Sequence, residues 1–191
     1  MENVHPVINV LNQLWPLKEE SKQAFEEIIL FKKYAKTDLL LDFGGIAKNL
    51  FFIQKGLARV YYLKDDLDVT DYFALENQFV GATRSLFLGL PAKKAIELLE
   101  DSQVFYFNYQ AFDQLCIKYS DLERVARKLS IYGMLEEQKR IESIRFLSAR
   151  ERYWELEKKY PGITNRVSLQ HIASYLNTTN VSLSRIRAGK Q

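Results

Sequence analysis

Residues 168–187 read Ser168-Leu169-Gln170-His171-Ile172-Ala173-Ser174-Tyr175-Leu176-Asn177-Thr178-Thr179-Asn180-Val181-Ser182-Leu183-Ser184-Arg185-Ile186-Arg187. Ser168 suits an N-cap. Leu169, Ile172, Ala173 and Leu176 recur at three- and four-residue steps, the spacing of one buried helical face. Asn177-Thr178-Thr179 reads as a turn, because Asn tolerates left-handed backbone. Thr179 can cap a second short helix that buries Val181 or Leu183 together with Ile186, and the small Ala173 lets that helix cross closely over the first. This is the spacing of a helix-turn-helix, whose second helix enters the DNA major groove. The outward residues of the second helix are then Asn180, Ser182, Arg185 and Arg187. Arg can fork onto guanine, Asn can pair with adenine, and hydroxyls such as those of Ser168 and Thr179 can hold phosphate oxygens. An ordinary helical hairpin with a polar surface would carry the same pattern.

The charge distribution bears on that choice. The formal net charge is only +3, but residues 1–117 hold 12 Lys and Arg against 16 Asp and Glu, whereas residues 118–191 hold 15 against 8. The last acidic residue is Glu157, and Lys158, Lys159, Arg166, Arg185, Arg187 and Lys190 follow it. A one-sided basic end suits a polyanion, although a solvated basic face is the plain alternative.

Upstream of this segment the pattern is helical. Ser148-Ala149-Arg150-Glu151 has the form of a capping box opening a helix that ends at Tyr160, before Pro161-Gly162. Residues 163–167 are long enough only for a link or one strand. Residues 122–147 form one long proline-free helix with a stripe of Leu122, Val125, Leu129, Tyr132, Leu135 or Glu136, and Ile141. At 1.5 Å per residue it is about 38 Å long, more than one small core covers, so pairing with a second copy is expected. A long helix lying along its own β domain would also explain the stripe. Residues 111–118 form a short amphipathic helix.

Between about residues 30 and 107 short apolar runs alternate with turn residues. Leu39-Leu40-Leu41, Leu50-Phe51-Phe52-Ile53, residues 57–63, 69–75 and 95–99, and Val104-Phe105-Tyr106-Phe107 are strand-like, suggesting an antiparallel sandwich or barrel. Gly56 fits a turn position with positive φ. Ahead of this region Pro6 opens a helical pattern of Val7, Val10, Leu11 and Leu14. Pro16 breaks it, and a second helix follows over residues 18–29.

Composition bounds the chemistry. With 191 residues, 47% hydrophobic and 27% charged, the chain is of ordinary globular type, not disordered or collagenous. The single Cys116 rules out an intrachain disulfide, a four-cysteine iron–sulfur cluster and a cysteine zinc site. His5 and His171 lie far apart in sequence. As axial haem ligands, these two and Cys116 have no further support. No Gly-rich phosphate loop or Ser/His/Asp set is present, so no enzymatic activity is expected. Residues 1–6 lack a basic, apolar leader pattern, and a cytoplasmic protein without membrane attachment is expected.

In order along the chain, Phe52-Ile53-Gln54-Lys55-Gly56, Phe79-Val80-Gly81, residues 91–101 with their Leu-Glu-Asp ending, Phe146-Leu147-Ser148 before Arg150, Ile172-Ala173-Ser174-Tyr175-Leu176 and Leu183-Ser184-Arg185-Ile186 resemble the cyclic-AMP receptor protein/Fnr (Crp/Fnr) family of bacterial transcription regulators. The resemblance covers nearly the whole length. It implies an α+β fold with three parts. A cyclic-nucleotide-binding-like β-roll (an antiparallel jelly roll) occupies residues 1–117, a long dimerisation helix 118–147 and a helix-turn-helix DNA-binding domain 148–191. It implies a homodimer on a pseudo-palindromic operator in double-stranded DNA, with RNA polymerase as a further partner. The effector pocket would involve Gly81, Ala82, Lys93, Lys94, Leu135 and Glu136.

Two departures follow from the same resemblance. Members that bind cyclic AMP carry Gly-Glu at the start of the phosphate cassette and Arg-Ser-Ala or Arg-Thr-Ala at its end. Here Ala82 follows Gly81, so the ribose acceptor is lost, and Lys93-Lys94-Ala95 keeps positive charge without a bidentate fork. Loss of cyclic-AMP binding is expected, with no cofactor, or recognition of another anion. Lys93 and Lys94 could equally be solvated surface lysines. In the reading helix Asn180-Val181 replaces the familiar Arg-Glu pair while Arg185 keeps its place, so a different operator is expected. The sequence stops at Gln191, where relatives add a β-hairpin wing, and fewer flanking backbone contacts are expected. The other reading is a module sensing a small anionic ligand, its helical end used for protein contacts.

Overall fold

The computed structural model describes residues 5–189. Pro6, whose missing N–H costs nothing in a first turn, opens α1 (Pro6–Leu14). The chain turns at Pro16, where the Leu17 N–H donates to Asn12 Oδ1 at 2.9 Å. α2 (Glu19–Glu26) carries Glu19 and Glu20 in its first turn, which suits the helix dipole. Eight strands follow: β1 (Leu30–Tyr34), β2 (Leu39–Leu41), β3 (Asn49–Lys55), β4 (Ala58–Lys64), β5 (Leu67–Ala74), β6 (Gln78–Val80), β7 (Ala95–Leu98) and β8 (Ser102–Asn108). α3 (Thr83–Leu88) lies between β6 and β7. The remaining helices are α4 (Tyr109–Lys118), α5 (Ser120–Phe146), α6 (Ala149–Lys159), α7 (Leu169–Tyr175) and α8 (Asn180–Arg187). Residues Ile163–Asn165 make a single 3-10 turn, so this link is not a strand.

The strands form two four-stranded sheets, ordered β1-β8-β3-β6 and β2-β7-β4-β5. In the first, β8 runs antiparallel to β1 and β3, with Phe52 opposite Phe105 and Phe51 opposite Tyr106. Each strand expected from the sequence is present, and β1, β6 and α3 are additional. β4 turns into β5 at Asp65-Asp66, both with positive φ (51° and 62°), a primed-type turn that follows the twist of a hairpin.

The chain divides into two compact units. One contains the residues up to Val60 together with Phe73–Tyr132, and the other contains Tyr61–Tyr72 together with the residues from Gly133 onward. In the first unit Val7, Ile8, Leu11, Phe25, Phe52, Phe107, Phe112, Leu122 and Val125 form one core. Phe25, Phe107 and Phe112 sit 4.9–5.2 Å apart by ring centroid, close enough for edge and tilted aromatic packing. Polar ties reinforce it. Asp121 accepts from the Lys18 N–H and the Ser21 hydroxyl, each at 2.8 Å, joining the start of α2 to the start of α5. Arg124 and Lys128 lie against the Trp15 ring, at 4.3 and 5.1 Å from its centroid.

In the second unit α6, α7 and α8 share a core of Tyr153, Leu156, Tyr160, Ile163, Val167, Ile172, Ala173, Leu176, Leu183 and Ile186. The long helix is therefore used in two ways. Leu122 and Val125 are buried, whereas Tyr132, Leu135 and Ile141 are about half exposed (56%, 49% and 50%).

Candidate nucleic-acid interface and effector loop

The segment 168–187 folds as two helices joined by a tight turn, each end built from local chemistry. Ser168 Oγ accepts from the His171 N–H at 3.2 Å and opens α7. α7 stops in a Schellman motif, in which the Asn177 N–H donates to Ser174 O at 3.1 Å and the Thr178 N–H to Ala173 O at 3.0 Å. Asn177 takes the left-handed conformation, φ +48°. Thr179 Oγ1 then accepts from the Ser182 N–H at 3.1 Å and caps α8.

Of the two apolar candidates in α8, Leu183 is buried together with Ile186, while Val181 is 62% exposed. The opposite side carries Asn180, Arg185 and Arg187, all exposed, with Ser182 partly exposed. Neither the Arg185 nor the Arg187 side chain makes a hydrogen bond or ion pair among the described residues. The structure thus brings Thr179, Asn180, Ser182, Arg185 and Arg187 onto one short helix and its cap, and places Ser168 at the start of the helix before it. Lys190 and Gln191, which bear on the expectations of a basic end and of few flanking contacts, lie outside the described residues, as do Met1–Val4.

Arg152 is a residue the sequence reading did not single out. Its guanidinium donates to Leu147 O at the end of α5, to Leu176 O at 2.9 Å and, more weakly, to Asn177 O at 3.5 Å. It satisfies helix-end carbonyls on two helices at once. No local pattern announces this, since the three acceptors are main-chain atoms set by the fold.

The effector candidates fall in two places. Gly81 and Ala82 lead into α3, and Lys93 and Lys94 close the loop after it, all in the first unit. A Cβ at Gly81 would come within 2.8 Å of Leu50 Cδ1, so the position favours glycine for packing alone. Ala82 is the N-cap residue of α3 and supplies no side-chain hydrogen bond. The loop is pinned from within. Ser85 Oγ donates to Leu90 O at 2.6 Å and accepts from the Ala47 N–H at 2.9 Å, and Ala92 exchanges backbone bonds with Gly44 and Gly45. Lys93 and Lys94 are exposed. The buried Arg59 in the same unit (4% exposed) is committed to Glu97 at 2.8 Å. Leu135 and Glu136 belong to the second unit, where the Glu136 carboxylate accepts from Lys159 Nζ.

The residues weighed for metal or haem chemistry have structural partners. His5 Nδ1 accepts from the Val7 N–H at 3.3 Å, and its ring stands edge-on to Phe105. Burial lowers its pKa against an opposing pull from Glu26. Cys116 packs against the core of the first unit, and burial, aided by Asp113 and Glu123, pushes its thiol up to about 12. Among the described residues, no group of three or more His, Cys, Asp or Glu is placed to hold a metal ion. No described helix is long and apolar enough to cross a membrane.

A β-roll with a short helix between its sixth and seventh strands, followed by a long helix and a helix-turn-helix, defines the class: a cyclic-nucleotide-binding type of domain joined to a helical C-terminal end. Residues 31–119 match the family described as Cyclic nucleotide-binding domain. Solved structures at low sequence identity share the fold. The chain superposes on FixK2 from Bradyrhizobium japonicum with a TM-score of 0.73, at 16% identity, covering 85% of this chain and 84% of that one. A protein from Eubacterium rectale assigned to the crp/fnr family of transcriptional regulators gives 0.72 at 15% identity, covering 98% and 87%. The c-di-GMP responsive regulator CLP of Xanthomonas campestris gives 0.68 at 14% identity, covering 90% and 91%. Comparison of the sequence with curated proteins gives no match.

Proposed function

We propose that the chain is a homodimeric, DNA-binding transcription regulator of Crp/Fnr type whose effector pocket is degenerate and does not take cyclic AMP. The observation that carries this reading is the α7–α8 pair. A Schellman turn and two side-chain caps hold a short helix that buries Leu183 and Ile186 and turns Asn180, Arg185 and Arg187 to solvent. Such a helix inserts into a major groove, with Arg185 and Asn180 reading base edges and Arg187 and the capping hydroxyls on phosphates. The basic end raises affinity for any duplex, and the reading helix supplies preference. Partners are double-stranded DNA with a pseudo-palindromic operator, a second copy of the chain, and RNA polymerase, in the cytoplasm and without membrane attachment. The protein performs no catalysis in this reading and needs no cofactor. In the effector loop Ala82 offers no acceptor to a ribose, and Lys93 and Lys94 offer no planar fork to a cyclic phosphate.

The test is selection of DNA sites from a random pool, with and without cyclic nucleotides. Enrichment of one palindrome, independent of nucleotide, is expected. A pool that enriches no palindrome overturns the DNA-reading role, and a strict requirement for cyclic AMP overturns the reading of Ala82. On the selected site Arg185→Ala should cost about 1–3 kcal/mol and relax preference at one base position. Equal binding of all sequences by that variant and its parent would remove Arg185 from the interface.

A further inference from the structure

The outer strand β5 ends its sheet, and its buried backbone groups at Thr70 need partners from elsewhere. They find them in the helical end. The Thr70 N–H donates to Ser174 Oγ, on α7, at 2.8 Å. The Thr70 carbonyl accepts from Arg140, on α5, at 3.4 Å. The same guanidinium stands 3.8 Å from the carboxylate of the neighbouring Asp71, which is also buried, and 4.7 Å from the centroid of the Tyr175 ring on α7. Residues 70 and 104 apart in sequence thus meet Thr70 inside the second compact unit, which gathers Tyr61–Tyr72 with the helices. The two strands of this hairpin continue by covalent chain into Ala58–Val60 and Phe73–Ala74.

We infer that Thr70, Asp71 and Arg140 form a clasp that sets the position of α7, and through α7 the position of the reading helix α8. The inference rests on the DNA-binding reading above and adds positioning residues to it. The geometry supports the role in three ways. Arg140 presents one guanidinium nitrogen, Nη2, to both the Thr70 carbonyl and the Asp71 carboxylate while the guanidinium lies over the Tyr175 ring, so one side chain joins β5 to α7. The pair is mostly buried, where screening by salt is weak. Its two contacts on α7, Ser174 and Tyr175, sit immediately before the Schellman turn that launches α8. A shift of α7 would carry α8 with it, because Leu183 and Ile186 share a core with Ile172 and Leu176. None of the three clasp residues lies on the outward side of α8, so their effect on DNA would pass through position alone.

The test uses the full chain with Asp71→Asn, Ser174→Ala and Arg140→Gln. Two quantities are read: amide hydrogen exchange in α7 and α8, and affinity for the selected operator against an unrelated duplex. Loosening the clasp should speed exchange in Leu169–Tyr175. It should also weaken operator binding about tenfold while binding to the unrelated duplex stays within about twofold, the range of a modest coupling between sites. Asp71→Asn should add nothing further in an Arg140→Gln background, since either change alone removes the Arg140–Asp71 ion pair. Operator affinity within twofold of the parent in both Asp71→Asn and Ser174→Ala would overturn the inference. A rise in affinity would also overturn it, because the clasp would then be holding the pair away from DNA. If the parent binds no duplex, the DNA-binding reading fails, and the clasp is judged by exchange alone. Unchanged protection of α7 in Asp71→Asn refutes it, and lost protection supports it.

Discussion

Gly56 sits at φ +106°, between β3 and β4. A Cβ there would lie 2.1 Å from Ser102 Oγ and 3.0 Å from Ser102 Cα, so side-chain movement alone gives no relief. Gly56→Ala should therefore combine a strained φ with overpacking and cost about 3 kcal/mol in urea denaturation. A loss below about 1 kcal/mol would show that the turn can reshape. Cys116 makes the contrasting case, a residue whose chemistry the fold suppresses. With its thiol pushed up to about 12 by burial and the nearby Asp113 and Glu123, almost none is thiolate at pH 8. Alkylation by iodoacetamide at that pH should run about a thousandfold slower in the native protein than in urea. The sign for stability follows from the raised value. Its contribution is intact below the unfolded thiol's pKa and is lost as pH rises from there towards 12. Native and unfolded alkylation rates that agree would place Cys116 outside the packed region.

Among the elements, α6 offers the clearest local cause. Ser148 Oγ accepts from the Glu151 N–H at 3.3 Å while Glu151 Oε2 accepts from the Ser148 N–H at 2.7 Å, the reciprocal capping box. The hydrogen bonds from the Ser148 N–H and hydroxyl hold the Glu151 carboxyl below its ordinary pKa. Ser148→Ala should cost about 1 kcal/mol of stability, read as a lower urea midpoint with an unchanged slope. This box was legible because its spacing is fixed within four residues, and so was the turn at Asn177, whose left-handed φ a single residue type announces. The elements that escaped the sequence lack such signals. β1, Leu30–Tyr34, is an edge strand with four exposed positions, two of them lysines, so it shows no buried alternation. β6 has three residues, and α3 has six and no side-chain cap. In the candidate site, α8 was legible as a pattern of caps and buried positions. Arg152 and the Thr70–Arg140–Ser174 contacts were not, because they join main-chain atoms and residues far apart in sequence.

For the molecule as a whole, the divided use of α5 raises the question of a second copy. Its first half buries Leu122 and Val125, yet Ile131, Tyr132, Met134, Leu135, Ile141, Ile144 and Phe146 remain exposed further along. So many apolar side chains on one solvent-facing helix mark an interaction surface more often than a bare one. Charge permits self-pairing there. Residues 120–146 hold six Lys and Arg against five Asp and Glu, so two α5 helices meet nearly neutral, and the basic excess lies mainly beyond them. A symmetric pair would also present two α8 helices to two half-sites, which a palindromic operator requires. Sedimentation equilibrium should give about twice the 22.4 kDa of one chain. Ile141→Asp should shift the species to the monomer mass, because burying a carboxylate against its copy costs several kcal/mol. The same variant should keep its far-ultraviolet circular dichroism at low temperature, since Ile141 contributes to no core described within the chain, should unfold at a lower temperature because the stabilisation from pairing is lost, and should lose most of its preference for the full palindrome over a single half-site. A parent that sediments as a monomer at tens of micromolar would remove the symmetric assembly. A dimer that survives Ile141→Asp with its palindrome preference intact would place the pairing surface elsewhere than α5.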